Sequence, residues 1–288
     1  MSSAGRNLPD HPRNDLGAYD TPLGLCRAVV ARLRDVGALS PRDQVLEPSV
    51  GSGNMVRALL ELEIGICLEV LDLDPMAPGL DVAHAAGGLA TTPSAANFDP
   101  EADRWARLEL EAAGVPSCRQ GLAASGFLTT RPATRPDLIL GNPPYSVTAP
   151  AIPCPDCGAT GQIPGARGRT RKCPACNRWA SGKRPGGLPE GYQPERVIGV
   201  ADLHVRRALE LTARHLVLVL RLPFLGGQDR YRDLWTPHPP RAVWTVVGRP
   251  SFAHGGTDSV ETAVYWWDRT WTALTFEGGW ITWEDAAP

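Results

Sequence analysis

A glycine-rich turn between an apolar strand and a helix constrains the fold of this chain more than any other segment. Residues 44–46 predict a short buried strand, residues 47–54 form the turn, and residues 55–62 follow a helical pattern. Gly51 and Gly53 let a ligand approach the backbone closely, and the helix behind them presents free N–H groups to it. The segment therefore predicts an α/β fold with a doubly wound, mostly parallel, Rossmann-like sheet.

Acidic residues at two strand ends indicate the kind of ligand. Glu47 closes the first strand, and a second strand at residues 66–71 is followed by Asp72 and Asp74. In a doubly wound sheet, an acid about 20 residues beyond the glycines binds ribose hydroxyls; Asp72 is the first candidate and Asp74 the second. Glu47 would repel a dinucleotide but attract the ammonium and sulfonium of S-adenosylmethionine. Alternatively, both strand-two acids are only solvated strand-end residues.

The tetrapeptide Asn142-Pro143-Pro144-Tyr145 follows the apolar run at residues 137–140. It suits the methylation of a planar amino or amide nitrogen, whose lone pair is delocalised. The Asn142 side-chain carbonyl and the Pro143 backbone carbonyl can accept hydrogen bonds from its two N–H groups and so free that lone pair. The two prolines hold the loop rigid. Tyr145 offers a flat face on which a base can stack. The alternative is a proline-rich turn after a strand that has no catalytic role.

The order of these motifs, with Tyr19-Asp20-Thr21-Pro22 upstream, resembles the amino-group DNA methyltransferases that form N6-methyladenine, especially the small phage-borne kind. The resemblance covers residues 15–150 and 200–270, as short motifs only. It implies that the upstream segment and the glycine loop hold the methionine end of S-adenosylmethionine, and that the tetrapeptide holds the target adenine. The catalytic residues it implies are Asn142, Pro143, Pro144 and Tyr145, and the cofactor-binding residues are Tyr19, Thr21, Pro22, Glu47, Pro48, Ser49, Gly51, Gly53, Asp72, Phe127 and Asn142.

Two features depart from that family. An acid normally precedes an aromatic residue on the third strand, but the best match, residues 125–128, has Phe127 and no carboxylate. Residues 76–100 are rich in Ala, Gly and Pro and predict a surface insertion or mobile loop. Independently of the family, Thr21 and Pro22 predict an N-cap and a first-turn proline for an amphipathic helix.

The C-terminal part predicts the rest of the sheet. Residues 216–220 form a continuous apolar run typical of a strand covered on both faces. Residues 243–247 predict another strand, and residues 261–267 and 271–276 a terminal antiparallel hairpin. Phe252 resembles the family's late aromatic residue, which packs against an extruded base, and could form a wall opposite Tyr145. The alternative is an ordinary core phenylalanine.

Two CxxC pairs, separated by fifteen residues, predict an inserted zinc module at residues 151–199. The spacing matches a structural Zn²⁺ site with four cysteine ligands, because a fifteen-residue arm can fold back to bring the pairs together. A disulfide framework or a redox site fits less well. The predicted ligands are Cys154, Cys157, Cys173 and Cys176.

The zinc module is also basic. Residues 151–200 contain eight basic and three acidic side chains, although the whole chain has a formal net charge of −2. This segregation predicts a nucleic-acid contact, with a solvated zinc ribbon as the alternative. The predicted contact residues are Arg167, Arg169, Arg171, Lys172, Arg178, Lys183 and Arg184.

The sequence thus predicts a methyltransferase domain at residues 15–150 and 200–288, preceded by a disordered segment at residues 1–14. Because no apolar run approaches the roughly 18 residues of a membrane span, we expect a cytoplasmic enzyme. The expected reaction is S-adenosylmethionine-dependent methylation of adenine N6 in DNA with base flipping. The alternatives are an RNA adenine methyltransferase, a protein-glutamine methyltransferase and a catalytically inactive zinc-dependent nucleic-acid-binding protein.

Overall fold

The chain folds into two compact units. In a computed structural model, the first unit comprises the residues up to Tyr145 and those from Val200 onward, and the second comprises Ser146–Gly199. The second unit contains the residues 151–199 for which a zinc module was predicted, and that module stays a prediction. The structure describes residues 20–72, 74–112, 126–149, 162–164, 170–172, 196–252 and 260–284.

The first unit contains an eight-stranded sheet in the order β12-β10-β11-β9-β4-β1-β2-β3. Only β11 runs against its neighbours: it pairs antiparallel with β9 and β10, while the other pairings are parallel. The mostly parallel doubly wound sheet is thus confirmed. Its strands are β1 (Gln44–Glu47), β2 (Cys67–Leu71), β3 (Leu89–Thr91), β4 (Leu138–Gly141), β9 (His215–Arg221), β10 (Ala242–Val246), β11 (Thr262–Asp268) and β12 (Glu277–Ile281).

Helices cover both faces of this sheet. Alternate residues of the strands point to opposite faces, so Val217 and Val219 of β9 join one core cluster and Leu216, Leu218 and Leu220 the other. Burying such a side chain stabilises the fold by about 1.5–3 kcal/mol. Among the described residues, no helix has the length and apolarity needed to cross a membrane. The main described helices are α1 (Leu23–Asp35), α2 (Asn54–Glu61), α3 (Pro78–Ala85), α4 (Pro100–Ala112) and α5 (Ala201–Leu211). Helices α1, α2 and α3 contribute to the first core cluster, and α5 contributes to the second.

Two segment predictions were wrong. Residues 76–100 are not a loop insertion, because they contain α3, β3 and the start of α4. Strand β3 is exposed or half-buried at all three residues, so it has no apolar pattern to detect. The antiparallel hairpin exists, but its partners differ from those predicted: β11 pairs with β10, residues 271–276 are not a strand, and β12 pairs parallel with β10.

The described parts of the second unit are two antiparallel strand pairs. Strands β5 (Ser146–Ala149) and β8 (Arg196–Gly199) pair where the unit begins and ends. Strands β6 (Gln162–Pro164) and β7 (Thr170–Lys172) pair with Gln162 opposite Lys172. The arm between the two CxxC pairs therefore folds back on itself.

Candidate active site

Polar side chains gather where four adjacent parallel strands end. Glu47 ends β1, Asp72 follows β2, Asn142 follows β4 and Arg221 ends β9. Since β2, β1, β4 and β9 are neighbours in the sheet, their carboxyl ends share one edge. In open α/β sheets this edge is the usual place for ligand binding.

The glycine turn after β1 has a backbone that only small residues allow. Gly51 and Gly53 have positive φ angles of 48° and 82°, which favour glycine. The turn packs against the first turn of α3, where the Gly79 N–H donates to the Gly51 carbonyl at 2.8 Å. A Cβ atom at Gly79 would lie 2.5 Å from Val50 Cγ2 and 2.9 Å from the Gly51 carbonyl oxygen. The loop is therefore held by close backbone contact.

Asp72 supports the same loop. Its Oδ2 accepts a hydrogen bond from the Gly51 N–H at 2.8 Å, and its Oδ1 accepts one from the Asp74 N–H at 2.9 Å. The carboxylate thus ties the end of β2 to the glycine turn. The predicted contact between Asp72 and a ribose stays a prediction.

Glu47 is the most unusual ionisable group at this edge. It is 2% exposed, and its Oε2 has no hydrogen-bond partner among the described residues. Its Oε1 faces β4 so closely that a Cβ atom at Gly141 would lie 2.6 Å away. Burial raises the pKa of Glu47 well above its usual value, and the negative charge of Asp72 adds to this rise, while a backbone hydrogen bond from Ser49 opposes it. A cation beside Glu47 would relieve this cost.

Asn142 is oriented by Thr21. Its Nδ2 donates a hydrogen bond to the Thr21 Oγ1 at 3.1 Å. The predicted capping role of Thr21 was wrong, because α1 has Pro22 as its N-cap residue and no side-chain capping hydrogen bond. The Thr21 hydroxyl instead reaches across to the loop after β4.

The Tyr145 ring is held from two sides. Its hydroxyl donates to the Val219 carbonyl at 3.0 Å, and the Arg221 guanidinium lies 5.1 Å from the ring centroid. The hydroxyl contact is available because β4 pairs with β9 only as far as Leu218, and β9 continues beyond it. Pro143 is buried and Pro144 half-buried, which fixes the loop between Asn142 and Tyr145.

Comparison with solved structures shows what this sheet is similar to. A protein from Listeria monocytogenes assigned as a class I S-adenosylmethionine-dependent methyltransferase is 11% identical, with a TM-score of 0.53 over 94% of this chain and 68% of that chain. The fold is that of a class I methyltransferase. Two more distant structures are also similar. One is an assigned RNA methyltransferase from Pyrococcus horikoshii, with 11% identity and a TM-score of 0.47 over 90% of this chain and 91% of that chain. The other is the modification subunit of an assigned type I restriction enzyme from Vibrio vulnificus, with 13% identity and a TM-score of 0.45 over 93% of this chain and 48% of that chain. No protein-family model and no curated protein matches the chain.

Two of the aromatic residues predicted to bind ligands, Phe127 and Phe252, are buried in the first unit. Phe127 is not on the third strand: it lies in a short 3-10 helix, Gly126–Thr129, is 3% exposed and stacks on His204 at 6.1 Å. Burial lowers the pKa of His204 to about 4, so the stacked imidazole is neutral. Phe252 is 7% exposed in the core cluster that contains α1, whereas Tyr145 packs against the cluster on the opposite face. The described ring contacts do not join Tyr145 to Phe252, and the base sandwich stays a prediction.

Several predicted residues lie outside the part of the chain that the structure describes. Arg171 and Lys172 are on β7, where the backbone alone is described. In the described ranges, no group of three or more His, Cys, Asp or Glu residues could hold a metal ion. The predicted site residues that lie outside the described part are Tyr19, the four CxxC cysteines Cys154, Cys157, Cys173 and Cys176, and the basic residues Arg167, Arg169, Arg178, Lys183 and Arg184.

Three further residues shape the site although sequence reasoning gave them no role. Asp20 accepts a hydrogen bond from the Ser52 N–H at 3.1 Å and so tethers the glycine turn. Arg221 lies over Tyr145, and Gly79 supports the turn from α3. The position of Arg221 at the end of an apolar strand was a usable signal. Gly79 gave none, because its role depends on a contact between distant segments.

Proposed function

We propose that this protein is an S-adenosylmethionine-dependent methyltransferase that transfers a methyl group to the N6 amino group of adenine in DNA. The observation that carries the proposal is the placement of Asn142 and Tyr145. They follow β4 at the sheet edge that also holds the glycine turn and Glu47. A class I methyltransferase fold is consistent with the cofactor, and the tetrapeptide supports the amino-nitrogen acceptor.

The residues at the glycine turn fit the cofactor. Glu47 offers a buried carboxyl oxygen without a described partner, and burial opposes its ionisation. An ammonium group is the complement that such a carboxyl requires. The positive φ angles of Gly51 and Gly53 give the turn its tight shape beside Glu47, and Asp72 stands at the end of the next strand, where we propose that it contacts a ribose. When bound, S-adenosylmethionine supplies an electrophilic methyl group on its sulfonium.

Asn142 and Pro143 then act on the acceptor. The Asn142 Oδ1 and the Pro143 carbonyl oxygen accept hydrogen bonds from the two N–H groups of the adenine amino group, which shifts the nitrogen towards tetrahedral geometry and localises its lone pair. Transfer of the methyl group to this nitrogen would break the bond between methyl and sulfur, leave S-adenosylhomocysteine and release one amino proton to solvent. Positioning and hydrogen bonding thus supply the catalysis, without a covalent enzyme intermediate. Tyr145, whose hydroxyl is held by the Val219 carbonyl and whose ring lies beside Arg221, is the residue we propose to stack on the flipped base.

The inserted unit is proposed to bind structural Zn²⁺ and to contact DNA. The pairing of β6 with β7 supports the zinc site, because it folds the arm back and places Lys172, which precedes Cys173, opposite Gln162. Four thiolates in two CxxC pairs are the donor set that Zn²⁺ prefers. Metal analysis of the purified protein should give one Zn²⁺ per chain, and Cys154→Ser should lower that content. An undiminished content in the variant would exclude Cys154 as a ligand.

The proposed reaction is tested by supplying S-adenosylmethionine with a labelled methyl group. Unmethylated duplex DNA, single-stranded DNA, RNA and protein extract serve as separate acceptors, followed by digestion to nucleosides or amino acids. We expect the label as N6-methyladenine from DNA. Label in RNA or in glutamine would show that the proposed substrate is wrong and the proposed acceptor site is right. Label in none of the acceptors, with S-adenosylmethionine bound, would overturn the proposal.

A further inference from the structure

Thr21 joins the two halves of the candidate site. Its Oγ1 accepts a hydrogen bond from the Asn142 Nδ2 at 3.1 Å, and its backbone carbonyl accepts one from the Asn54 Nδ2 at 3.0 Å. The residue is 8% exposed. We infer that Thr21 is a positioning residue that fixes the Asn142 amide for catalysis. This inference rests on the proposed function and assigns Thr21 a role other than the cofactor contact that the family resemblance implies.

The Asn142 side chain needs such a partner. The terminal torsion of an asparagine joins an sp³ carbon to an sp² carbon, so its preferences are broad and the amide rotates unless a neighbour holds it. Rotation by half a turn would replace the carbonyl acceptor by an NH₂ donor. A donor facing the amino group of adenine would oppose the reaction. The amino N–H groups need hydrogen-bond acceptors, because donating to them localises the lone pair on the nitrogen. The hydrogen bond to Thr21 holds the Nδ2 end, so the Oδ1 end keeps its place as the acceptor.

Thr21 is itself held firmly enough for this task. Pro22 fixes the backbone on its C-terminal side at a φ of −54°, and the Cys26 N–H donates to the Pro22 carbonyl at 3.0 Å as α1 begins. Asn54 is the first residue of α2 and directly follows Gly53. The same short network therefore links the Asn142 amide to the glycine turn, so the acceptor-binding and cofactor-binding parts keep a fixed separation.

Kinetics separate a positioning role from a cofactor contact. Thr21→Val keeps the shape of the side chain but removes the acceptor, and Thr21→Ser keeps the acceptor. At saturating cofactor and DNA we expect Thr21→Val to lower the single-turnover rate about 10-fold or more, because small misplacements of a catalytic group are costly. Thr21→Ser should retain most of the rate. Affinity for S-adenosylmethionine, measured by calorimetry, should stay within about twofold of the wild type in both variants, since no contact to the cofactor is removed.

A matched control tests whether the loss of any buried threonine hydroxyl has the same effect. Thr212 is 0% exposed, and its hydroxyl donates to the His215 carbonyl at 2.7 Å, at the start of β9 and thus at the opposite edge of the sheet. Thr212→Val should lower the melting temperature but leave the single-turnover rate unchanged. A rate loss equal to that of Thr21→Val would show a general structural effect and overturn the inference.

An activity-independent measurement tests the hydrogen bond itself. In ¹⁵N-correlated spectra, the Asn142 side-chain amide is assigned by its disappearance in Asn142→Asp. We expect one of its protons to exchange slowly with water in the wild type and in Thr21→Ser, and rapidly in Thr21→Val. Equal exchange in all three proteins, or a Thr21→Val variant that loses cofactor affinity and keeps its rate, would overturn the inference while leaving the proposed function intact. If the wild type transfers no methyl group, the proposed function fails, and the catalytic role inferred for Thr21 fails with it, whatever the amide spectra show.

Discussion

Replacing Glu47 by glutamine should weaken cofactor binding and stabilise the unliganded protein. Glu47 is 2% exposed, and burial raises its pKa, so ionising it costs free energy when no cation is present. Glutamine has nearly the same shape but no charge. Loss of a charge-assisted contact to the cofactor ammonium should cost about 2 kcal/mol, which corresponds to about 30-fold in the dissociation constant.

The pH dependence follows from the direction of the pKa shift. A carboxyl group whose pKa is raised in the folded state favours folding at low pH. This contribution to stability is lost as the pH rises from the pKa of the group in the unfolded chain through its raised pKa in the folded protein. Glu47→Gln should therefore gain stability over the wild type as the pH rises. Binding of an ammonium ionises Glu47, so the affinity of the wild type should increase with pH by at most about tenfold per pH unit.

Calorimetry between about pH 5.5 and 7.5, where an α-amino group is still mostly protonated, measures both effects. Titrations in buffers of different ionisation enthalpy should show release of up to about one proton per cofactor bound by the wild type and none by Glu47→Gln. The matched control is Glu69→Gln: Glu69 is 6% exposed, its pKa is also raised by burial, and both its oxygens accept from the Ala133 N–H. If Glu47→Gln bound as tightly as the wild type, or Glu69→Gln lost affinity equally, the ammonium contact would be refuted.

Three further predictions follow from the described contacts. Gly79→Ala should cost about 1–3 kcal/mol in unfolding free energy and weaken cofactor binding, because its Cβ would lie 2.5 Å from Val50 Cγ2; an unchanged cofactor affinity in calorimetry would contradict this. Asp99→Asn should destabilise the protein by about 3 kcal/mol near neutral pH, because Arg207 is 1% exposed and pairs with Asp99 at 2.7 Å. Burial raises the Asp99 pKa, but its arginine partners outweigh that effect and lower it overall, so in urea unfolding the difference from the wild type should shrink as the pH falls below about 4. Tyr145→Ala should raise the KM for DNA by about 5-fold to 150-fold through lost stacking, whereas Tyr145→Phe should lose only the hydrogen bond to the Val219 carbonyl; equal effects of the two would argue against base stacking.

Local patterns were enough to predict the centre of the sheet. Strands β1, β4 and β9 are buried along almost their whole length and have apolar central residues, which a local pattern detects. The glycine turn and the tetrapeptide after β4 could be found for the same reason, since each needs residue types that few other structures require.

The features that were missed depend on contacts between distant segments. Helix α3 contains Gly79, a poor helix former, and its position depends on the packing of that glycine against the turn after β1. Thr21 has the sequence of an N-cap, yet its hydroxyl pairs with a side chain 121 residues away. Strand β12 alternates little and is largely exposed, so only its pairing with β10 defines it.

The most direct test of the central claim is the single-turnover rate of N6-methyladenine formation in duplex DNA by Asn142→Ala. We expect a loss of about 10²-fold or more relative to the wild type, because one of the two acceptors for the amino hydrogens is removed. The affinity of Asn142→Ala for S-adenosylmethionine, measured in parallel, would show that its cofactor site remains intact. A variant that binds the cofactor and methylates DNA at the wild-type rate would contradict the account of this site.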